Sequence, residues 1–300
     1  MKPAPFGYVR PAEVGDAVAE LVRADQEGGG KVLAGGQSLM PVLAMRLGRP
    51  ATLVDITRIA ELQQVQVADG ELRIGAAVRQ RRIERDFGGV VPLLSRALPW
   101  IGHREIRSRG TVCGSLAHAD PSSELPAVAT CLGATLDVIG PYGKRSVPAA
   151  EFFTAAMTTV LAPVELVASV RVPLPSSGSG FGFAEVARRH GDFALAGVAV
   201  SVTSREGVPR SAVVTAFGVS DKPQRRDLTR QVVAAVNAVG PAPEALTSQL
   251  VAATEELADE VVTTEGDSSG SPAYRRRLIS ALGARELARA FNSSMERSTR

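Results

Sequence analysis

The feature that most constrains this chain is a change of pattern near Ser176. Up to Leu174, short β-type runs alternate with helical ones. Pro173-Leu174-Pro175-Ser176-Ser177-Gly178-Ser179-Gly180 then reads as a linker. Beyond it come strands in succession, then helices in succession. Halves so different do not share one layer architecture, and 300 residues are enough for two cores. The expected division is a first domain over 1–176, in two parts of about 1–57 and 58–176. A second domain follows over 177–291, and the polar tail 292–300 is expected to be disordered.

In the first half, Glu13 to Glu27 carries Val14, Ala17, Val18, Leu21 and Val22 at helical spacing and stops at Gly28-Gly29-Gly30. Lys31 to Ala34 predicts a strand, Gly35-Gly36-Gln37-Ser38 a tight loop, and Ala51 to Ile56 another strand. The helix between them starts at Ser38 or Leu39, with Pro41 tolerated in its first turn, and ends at Gly48. Hairpins are predicted around Asp69-Gly70 and around Gly140-Pro141-Tyr142-Gly143. Val78 to Phe87, Val91 to Trp100 and Leu125 to Leu132 read as helices and Val164 to Leu174 as a strand, whereas Ile101 to Asp120 follows neither periodicity. The second half predicts three strands, within 181–189, 193–204 and 211–219, and three helices, within 227–239, 244–258 and 273–291. That order suggests an antiparallel sheet covered on one face.

Composition removes several functional classes. Net charge is +3, from 34 basic and 31 acidic residues, too small an excess to argue for nucleic acid or a membrane surface. The clusters Arg79 to Arg85 and Arg275-Arg276-Arg277 read as solvated helix faces, with an anion or partner site as the alternative. Cys113 and Cys131 are too few for an iron–sulfur cluster or a closed zinc site, and a reducing cytosol fits them. No apolar run is long enough for a membrane span and none at the N-terminus resembles a signal peptide, so a cytoplasmic protein without membrane insertion is expected.

Two glycine-rich stretches stand out. Val32-Leu33-Ala34-Gly35-Gly36-Gln37-Ser38-Leu39 lies between a strand and a helix start. Adjacent glycines let a ligand approach the main chain, and successive N–H groups at a helix start favour an anion such as a pyrophosphate. A plain tight turn is the other reading. The second stretch runs from Gly110 through Thr111-Val112-Cys113-Gly114-Ser115 to Glu124. Thr111 and Ser115 can hydrogen-bond phosphate or ribose oxygens, and Asp120 or Glu124 can accept from ribose hydroxyls. A surface loop with Ser122 or Ser123 capping the next helix is the alternative. No G-x-G-x-x-G, P-loop or nucleophile elbow occurs. His103, His118 and His190 lie far apart and in no ligand spacing, so each reads as a polar loop residue.

Together Ala34-Gly35-Gly36-Gln37-Ser38 and Thr111-Val112-Cys113-Gly114-Ser115 resemble the two FAD-binding loops in the flavin (medium) subunit of the molybdenum hydroxylases, the group of carbon monoxide dehydrogenase and xanthine dehydrogenase. The likeness extends to Leu53-Val54-Asp55-Ile56, to Ile106-Arg107-x-Arg109-Gly110-Thr111 and to Ala119-Asp120-Pro121-Ser122-Ser123-Glu124-Leu125-Pro126-Ala127. It continues through Val170-Arg171-Val172-Pro173, Gly191-Asp192-Phe193-Ala194 and Pro272-Ala273-Tyr274-Arg275, covering nearly the whole chain in order.

The resemblance implies an α+β fold. It would comprise an FAD-binding domain of the vanillyl-alcohol-oxidase type in two α/β subdomains, then a smaller domain with a three-stranded antiparallel sheet and helices. FAD, held non-covalently, would lie between the two parts of the first domain. Val32 to Leu39 and Thr111 to Ser115 would hold its pyrophosphate, largely through backbone N–H groups. Glu124 takes the place of an acidic residue that contacts the cofactor, Ile101 and Val167 fall where the family puts apolar residues beside the flavin, and Phe193 matches an aromatic that covers the isoalloxazine ring. The second loop departs from the family's Thr-x-Gly-Gly-Asn: Cys113 replaces a glycine and Ser115 an amide, so altered contacts are expected there.

No side chain is expected to be catalytic, because the cofactor would carry the redox step. A large subunit would hold the molybdenum cofactor and a small subunit two 2Fe–2S clusters, the whole forming a dimer of heterotrimers. The flavin subunit would take electrons from the clusters and pass them to an external acceptor. The rivals are a stand-alone FAD oxidoreductase of the same fold, which would need a substrate pocket with a base, and a flavin-free scaffold subunit.

Overall fold

The computed structural model describes residues 2–298. In chain order its elements are β1 (Gly7–Val9), α1 (Val14–Gln26), β2 (Gly30–Leu33), α2 (Leu39–Ala44), β3 (Thr52–Asp55), β4 (Val65–Ala68), β5 (Glu71–Gly75), α3 (Gln80–Asp86), α4 (Pro92–Ala97), α5 (Arg104–Arg109), α6 (Val112–His118) and α7 (Glu124–Cys131). Then come β6 (Thr135–Gly140), β7 (Gly143–Pro148), α8 (Ala149–Phe152), β8 (Phe153–Ala155), β9 (Thr158–Thr159) and β10 (Leu166–Pro173). The rest comprises β11 (Ser179–Val186), β12 (Ala196–Arg205), β13 (Val208–Phe217), β14 (Gln224–Asp227), α9 (Thr229–Val239), α10 (Pro243–Val261) and α11 (Pro272–Ser298).

These elements fall into two compact units that interleave along the chain. One is built from the chain up to Phe87, with His103–Ala119 and Gly133–Pro173. The other takes Gly88–Gly102, Asp120–Leu132 and everything from Leu174 onward. A cut near Ser176 therefore separates them only in part.

The first unit holds a parallel sheet in the order β1-β3-β2 and an antiparallel sheet in the order β4-β5-β10-β6-β7. α1 buries Val14, Ala17, Val18 and Leu21 of the predicted stripe, with Ala24 as its fifth buried residue in place of the half-buried Val22. Asp55 at the end of β3 pins this layer. Its carboxylate accepts from Tyr8 Oη, Arg10 Nε, Thr57 N–H and Thr57 Oγ1. In the larger sheet, Leu72, Ile74, Leu136, Val138 and Val170 share one buried face, while Arg73, Asp137 and Arg171 point the other way.

The second unit is a four-stranded sheet in the order β11-β12-β13-β14. The edge strand β14 joins the three strands expected. Its residues, Gln224-Arg225-Arg226-Asp227, are too polar to announce a strand, and its ladder to β13 fixes it. Helices α9, α10 and α11 cover one face through a core that includes Val198, Val200, Val214, Leu250, Ile279, Leu287 and Phe291. The other face is covered too, by α4 and α7, where the sequence suggests a single covered face. Ser179 to Glu185 are all buried, the unbroken pattern of a strand packed on both sides. The sequence predicts a disordered tail from Asn292, but α11 continues to Ser298. Ser294, fully buried, hydrogen-bonds Ser204 Oγ at 2.7 Å and holds that last stretch down.

Arg275 is not on a solvated face. It is 5% exposed, and its Nη1 donates to Leu195 O at 2.5 Å and Gly218 O at 2.7 Å, while Nη2 pairs with Asp267 at 2.7 Å.

Candidate functional site

The stretch 101–120, which has no periodicity, contains two short helices. α6 forms because Thr111 is a capping residue: its Oγ1 accepts from Gly114 N–H at 3.0 Å. The segment ahead of α3 fixes its start. Gln80 N–H donates to Gly110 O at 2.8 Å and Val112 N–H to Val78 O at 3.3 Å. Gln80 is 4% exposed and its Nε2 reaches Thr111 O at 3.4 Å. So the second glycine-rich stretch is a capped helix start, not an open loop.

The first stretch leaves β2 and turns at Gly36, whose φ of +72° suits glycine. Gln37 Nε2 donates back to Gly35 O at 3.2 Å, and Met40 N–H to Gly36 O at 3.1 Å as α2 begins. From Val32 to Leu39 every residue is half-buried.

The structure brings these two stretches into contact. A Cβ on Gly35 would stand 2.4 Å from Arg109 O and 2.6 Å from Gly110 Cα. A Cβ on Gly114 would lie 2.6 Å from Thr111 Oγ1 and 3.7 Å from the Ala34 Cβ. Gly35 is therefore what lets two backbone segments meet, and Gly114 leaves room for the Thr111 cap. Thr111, Val112 and Cys113 are buried, while Gly114 and Ser115 stay half-buried beside Ala34. Together they form a small-residue surface rich in main-chain groups, flanked by the starts of α2 and α6.

Cys113 takes helical angles in α6, which any residue accepts, so replacing a glycine there costs nothing in backbone strain. Its Sγ points to Ile74 O at 3.5 Å, and burial pushes the thiol up to about 12. It is a packed, unreactive side chain. Val167 lies in the same unit. A bulge between Val167 and Ser169 turns it to the inner face of β10, opposite Val138. A cavity of about 560 Å³ opens on the opposite face of that sheet, among Arg73, Asp137, Ser169 and Arg171. No residue of either glycine-rich stretch lines it.

The remaining expected residues belong to the second unit. Ile101 is half-buried, and Phe193 is 68% exposed in the β11–β12 connection. Their loops are neighbours: Trp100 packs on His190 at 5.5 Å, and a Cβ on Gly191 would be 3.1 Å from the Gly102 carbonyl carbon. Glu124, first residue of α7, is 7% exposed. Burial pushes its carboxyl up to about 7, against the pull of its own backbone N–H, and the charge of Asp120 adds to the rise. Glu185 is a buried carboxyl that sequence reading did not single out. The available signal was its place in the alternation Phe181, Phe183, Glu185 on an apolar strand. Gln80 was also missed, and no sequence signal marks it. Among the described residues no group of three or more His, Cys, Asp or Glu could hold a metal ion, and no helix is long and apolar enough to cross a membrane.

Comparison with known proteins bears on this arrangement. Residues 4–175 match the model of the FAD binding domain in molybdopterin dehydrogenase, and 181–290 that of the CO dehydrogenase flavoprotein C-terminal domain. The caffeine dehydrogenase subunit beta of Pseudomonas sp. (strain CBB1) is 37% identical over 97% of this chain and 96% of its own length. The carbon monoxide dehydrogenase medium chain of Afipia carboxidovorans is 30% identical, over 97% and 98%. Among solved structures, a chain of quinoline 2-oxidoreductase from Pseudomonas putida 86 superposes with a TM-score of 0.87 at 31% identity, covering 98% of this chain and 100% of that one.

Proposed function

The chain belongs to the family of FAD-binding medium subunits of molybdenum-containing dehydrogenases, and from that premise we propose that it holds one FAD non-covalently and relays electrons within a larger complex. The observation that carries the reading is the approach of the two glycine-rich stretches, Gly35 against the backbone of Arg109 and Gly110, and Ala34 within van der Waals reach of Gly114. The residues present fit the cofactor. Main-chain groups cluster without side chains to block them, two helix starts add positive dipole, and no carboxylate lies within either stretch. A pyrophosphate suits such a surface, so Gly35, Gly36, Gln37, Ser38, Gly114 and Ser115 would bind it, with Thr111 and Gln80 holding the second stretch in place. Val167 would offer an apolar contact. The proposed contacts of Ile101, Glu124 and Phe193 with the cofactor rest on the family resemblance.

Bound FAD supplies the redox chemistry, accepting electrons and releasing them to an external acceptor. The chain's own part is to bind, orient and shield it. Its electrons would come from 2Fe–2S clusters in a small partner subunit, the molybdenum cofactor residing in a large one. A dimer of such heterotrimers, in the cytoplasm, completes the proposal. Names of the relatives as dehydrogenase subunits support a multi-subunit assembly. The substrate is set by the large subunit, and this chain carries no recognisable nicotinamide site, which favours a quinone, a carrier protein or oxygen as acceptor.

The test is the visible spectrum of the purified chain, with identification of the cofactor released on denaturation. Stoichiometric, non-covalent FAD is expected, together with co-purification of a molybdenum subunit and an iron–sulfur subunit. A folded chain that takes up no FAD from excess, alone or in the complex, would sink the reading.

A further inference from the structure

The cluster Arg79 to Arg85 is only partly a solvated helix face. Arg85 is exposed and pairs with its neighbour Asp86. Arg79 and Arg82 reach across instead: Arg79 Nη1 donates to Ser108 O at 2.8 Å and Arg82 Nη1 to Gln63 O at 2.7 Å. Arg81 pairs with Glu84 at 3.0 Å, and Glu84 also receives Arg107 of α5. That last pair is bidentate, Nε to Oε2 at 3.0 Å and Nη2 to Oε1 at 3.1 Å. Arg107 is 8% exposed and Glu84 half-buried. Burial opposes the charge on Glu84, but Arg107 and Arg81 outweigh it and hold the carboxyl below its ordinary range. A guanidinium that grips a carboxylate with two parallel bonds fixes distance and orientation together, and a partly buried pair is screened little by salt.

α5 needs such a tie. At six residues it is too short to keep its shape and place unaided. It leads directly into Gly110 and Thr111, and bonds from Val78, Arg79, Gln80 and Glu84 run along the whole segment 107–112. Gln80 Oε1 is buried with no hydrogen-bond partner among the described residues. An unpaired buried oxygen costs stability, and the fold bears that cost where the other end of the same amide holds Thr111 O. The same segment carries the first glycine-rich stretch, since Gly35 stands against Arg109 O and Gly110 Cα. The second stretch therefore rests on α3, and the first rests on it through the second. All of these residues belong to one compact unit.

We propose that Glu84 and Arg107 are positioning residues for FAD: their ion pair holds the segment 107–112 so that the main-chain surface is formed before the cofactor arrives. This rests on the reading of that surface as the pyrophosphate site. Main-chain donors cannot follow a ligand as a flexible side chain can, and a binding constellation has to be held within about 0.5 Å by the groups that support it. Loosening the pair leaves a smaller fraction of chains with the surface formed, and the apparent Kd rises by the inverse of that fraction. The two residues act through backbone placement, not by lending charge to the phosphates.

The experiment measures FAD affinity of the purified full chain by flavin fluorescence, well below the melting temperature, with circular dichroism to establish that each variant is folded. E84Q and R107Q are each expected to raise Kd by at least about fivefold. The double variant E84Q/R107Q is expected to stay within about twofold of the weaker-binding single, because both changes remove one contact. R85Q, which removes an exposed charge of the same cluster, is expected to keep the wild-type Kd. A role in stability alone would lower Tm and leave the Kd of folded E84Q and R107Q at the wild-type value, and that result overturns the proposal while leaving FAD binding by the glycine-rich stretches intact. R85Q weakening binding as much as R107Q also overturns it, since the cluster would then attract the anion by charge. Should R107Q not fold, R107K is read in its place: lysine keeps the charge but cannot grip both oxygens, and a folded R107K with wild-type Kd overturns the proposal. A wild type that takes up no FAD fails the cofactor reading itself, and this proposal with it.

Discussion

Gly35→Ala tests the meeting of the two glycine-rich stretches directly. The added methyl would lie 2.4 Å from Arg109 O and 2.6 Å from Gly110 Cα. Carbon atoms pack comfortably at about 3.5–4.0 Å, so one backbone segment must move by roughly 1 Å. Both obstacles are main chain and cannot rotate away. Overpacking of this kind costs about 1–3 kcal/mol, which for a protein of this size lowers Tm by roughly 2–10 °C. Displacing the segment that carries Gly114 and Ser115 also disrupts the proposed pyrophosphate surface, so FAD affinity is expected to fall by at least about tenfold, some 1.4 kcal/mol. Gly36→Ala is the informative companion. Its φ of +72° costs about 1–2 kcal/mol with a side chain, but its neighbours are side-chain atoms at 3.3 and 3.4 Å that can give way. Gly89→Ala, with nothing within 4 Å, is the control. Thermal melts with and without FAD, beside fluorescence titration, separate stability from binding. A Gly35→Ala chain with wild-type Tm and wild-type FAD affinity would refute the close approach and the reading built on it.

Other expectations follow from single contacts. Thr111→Ala removes the cap of α6 and should cost about 1 kcal/mol in urea unfolding, whereas Thr111→Ser should recover most of it. Arg275→Ala takes the guanidinium from the Leu195 and Gly218 carbonyls and breaks the ion pair with Asp267 and should cost about 2–4 kcal/mol; Lys cannot span the four acceptors, Gly270 O included, and should rescue little. Burial opposes ionisation of Asp55, but hydrogen bonds from Thr57, Tyr8 and Arg10 outweigh it and hold the carboxyl below its ordinary range. A lowered folded-state value stabilises above the unfolded one, so this contribution is full above about pH 5 and fades below about pH 4. Urea midpoints of wild type and D55N should converge as pH falls from 5 to 3; parallel curves would count against it. Cys113 should resist thiol reagents at pH 8 until the chain unfolds, and Cys113→Ala should bind FAD like the wild type.

What the sequence discloses is mostly local. The Asp69-Gly70 hairpin and the stripe of α1 are written in adjacent residues, and both glycine-rich stretches were recognisable from composition alone. What it conceals depends on distant partners. α6 is helical because Thr111 caps it and Val78 and Gln80 hold its start, not because Gly114 and Ser115 favour a helix. The edge strand β14 is charged and gains its state from β13. Glu185 looks like any surface glutamate until the register puts it beside Gly197 on the sheet face that α4 and α7 cover.

The interleaving of the two units has a consequence for modularity. The helices α4 and α7, which cover one face of the β11–β14 sheet, are encoded within the stretch that matches the FAD-binding family model. A fragment beginning at residue 177 would bare Phe183, Phe217 and the row between them. Such a piece should collapse or aggregate when expressed alone, and grafting it onto another protein would fail unless the two helices travelled with it. Inheritance must then keep the halves together: recombination at the Pro-Ser-Gly linker, the most permissive crossover point by composition, would sever one cooperative body from part of its own wall.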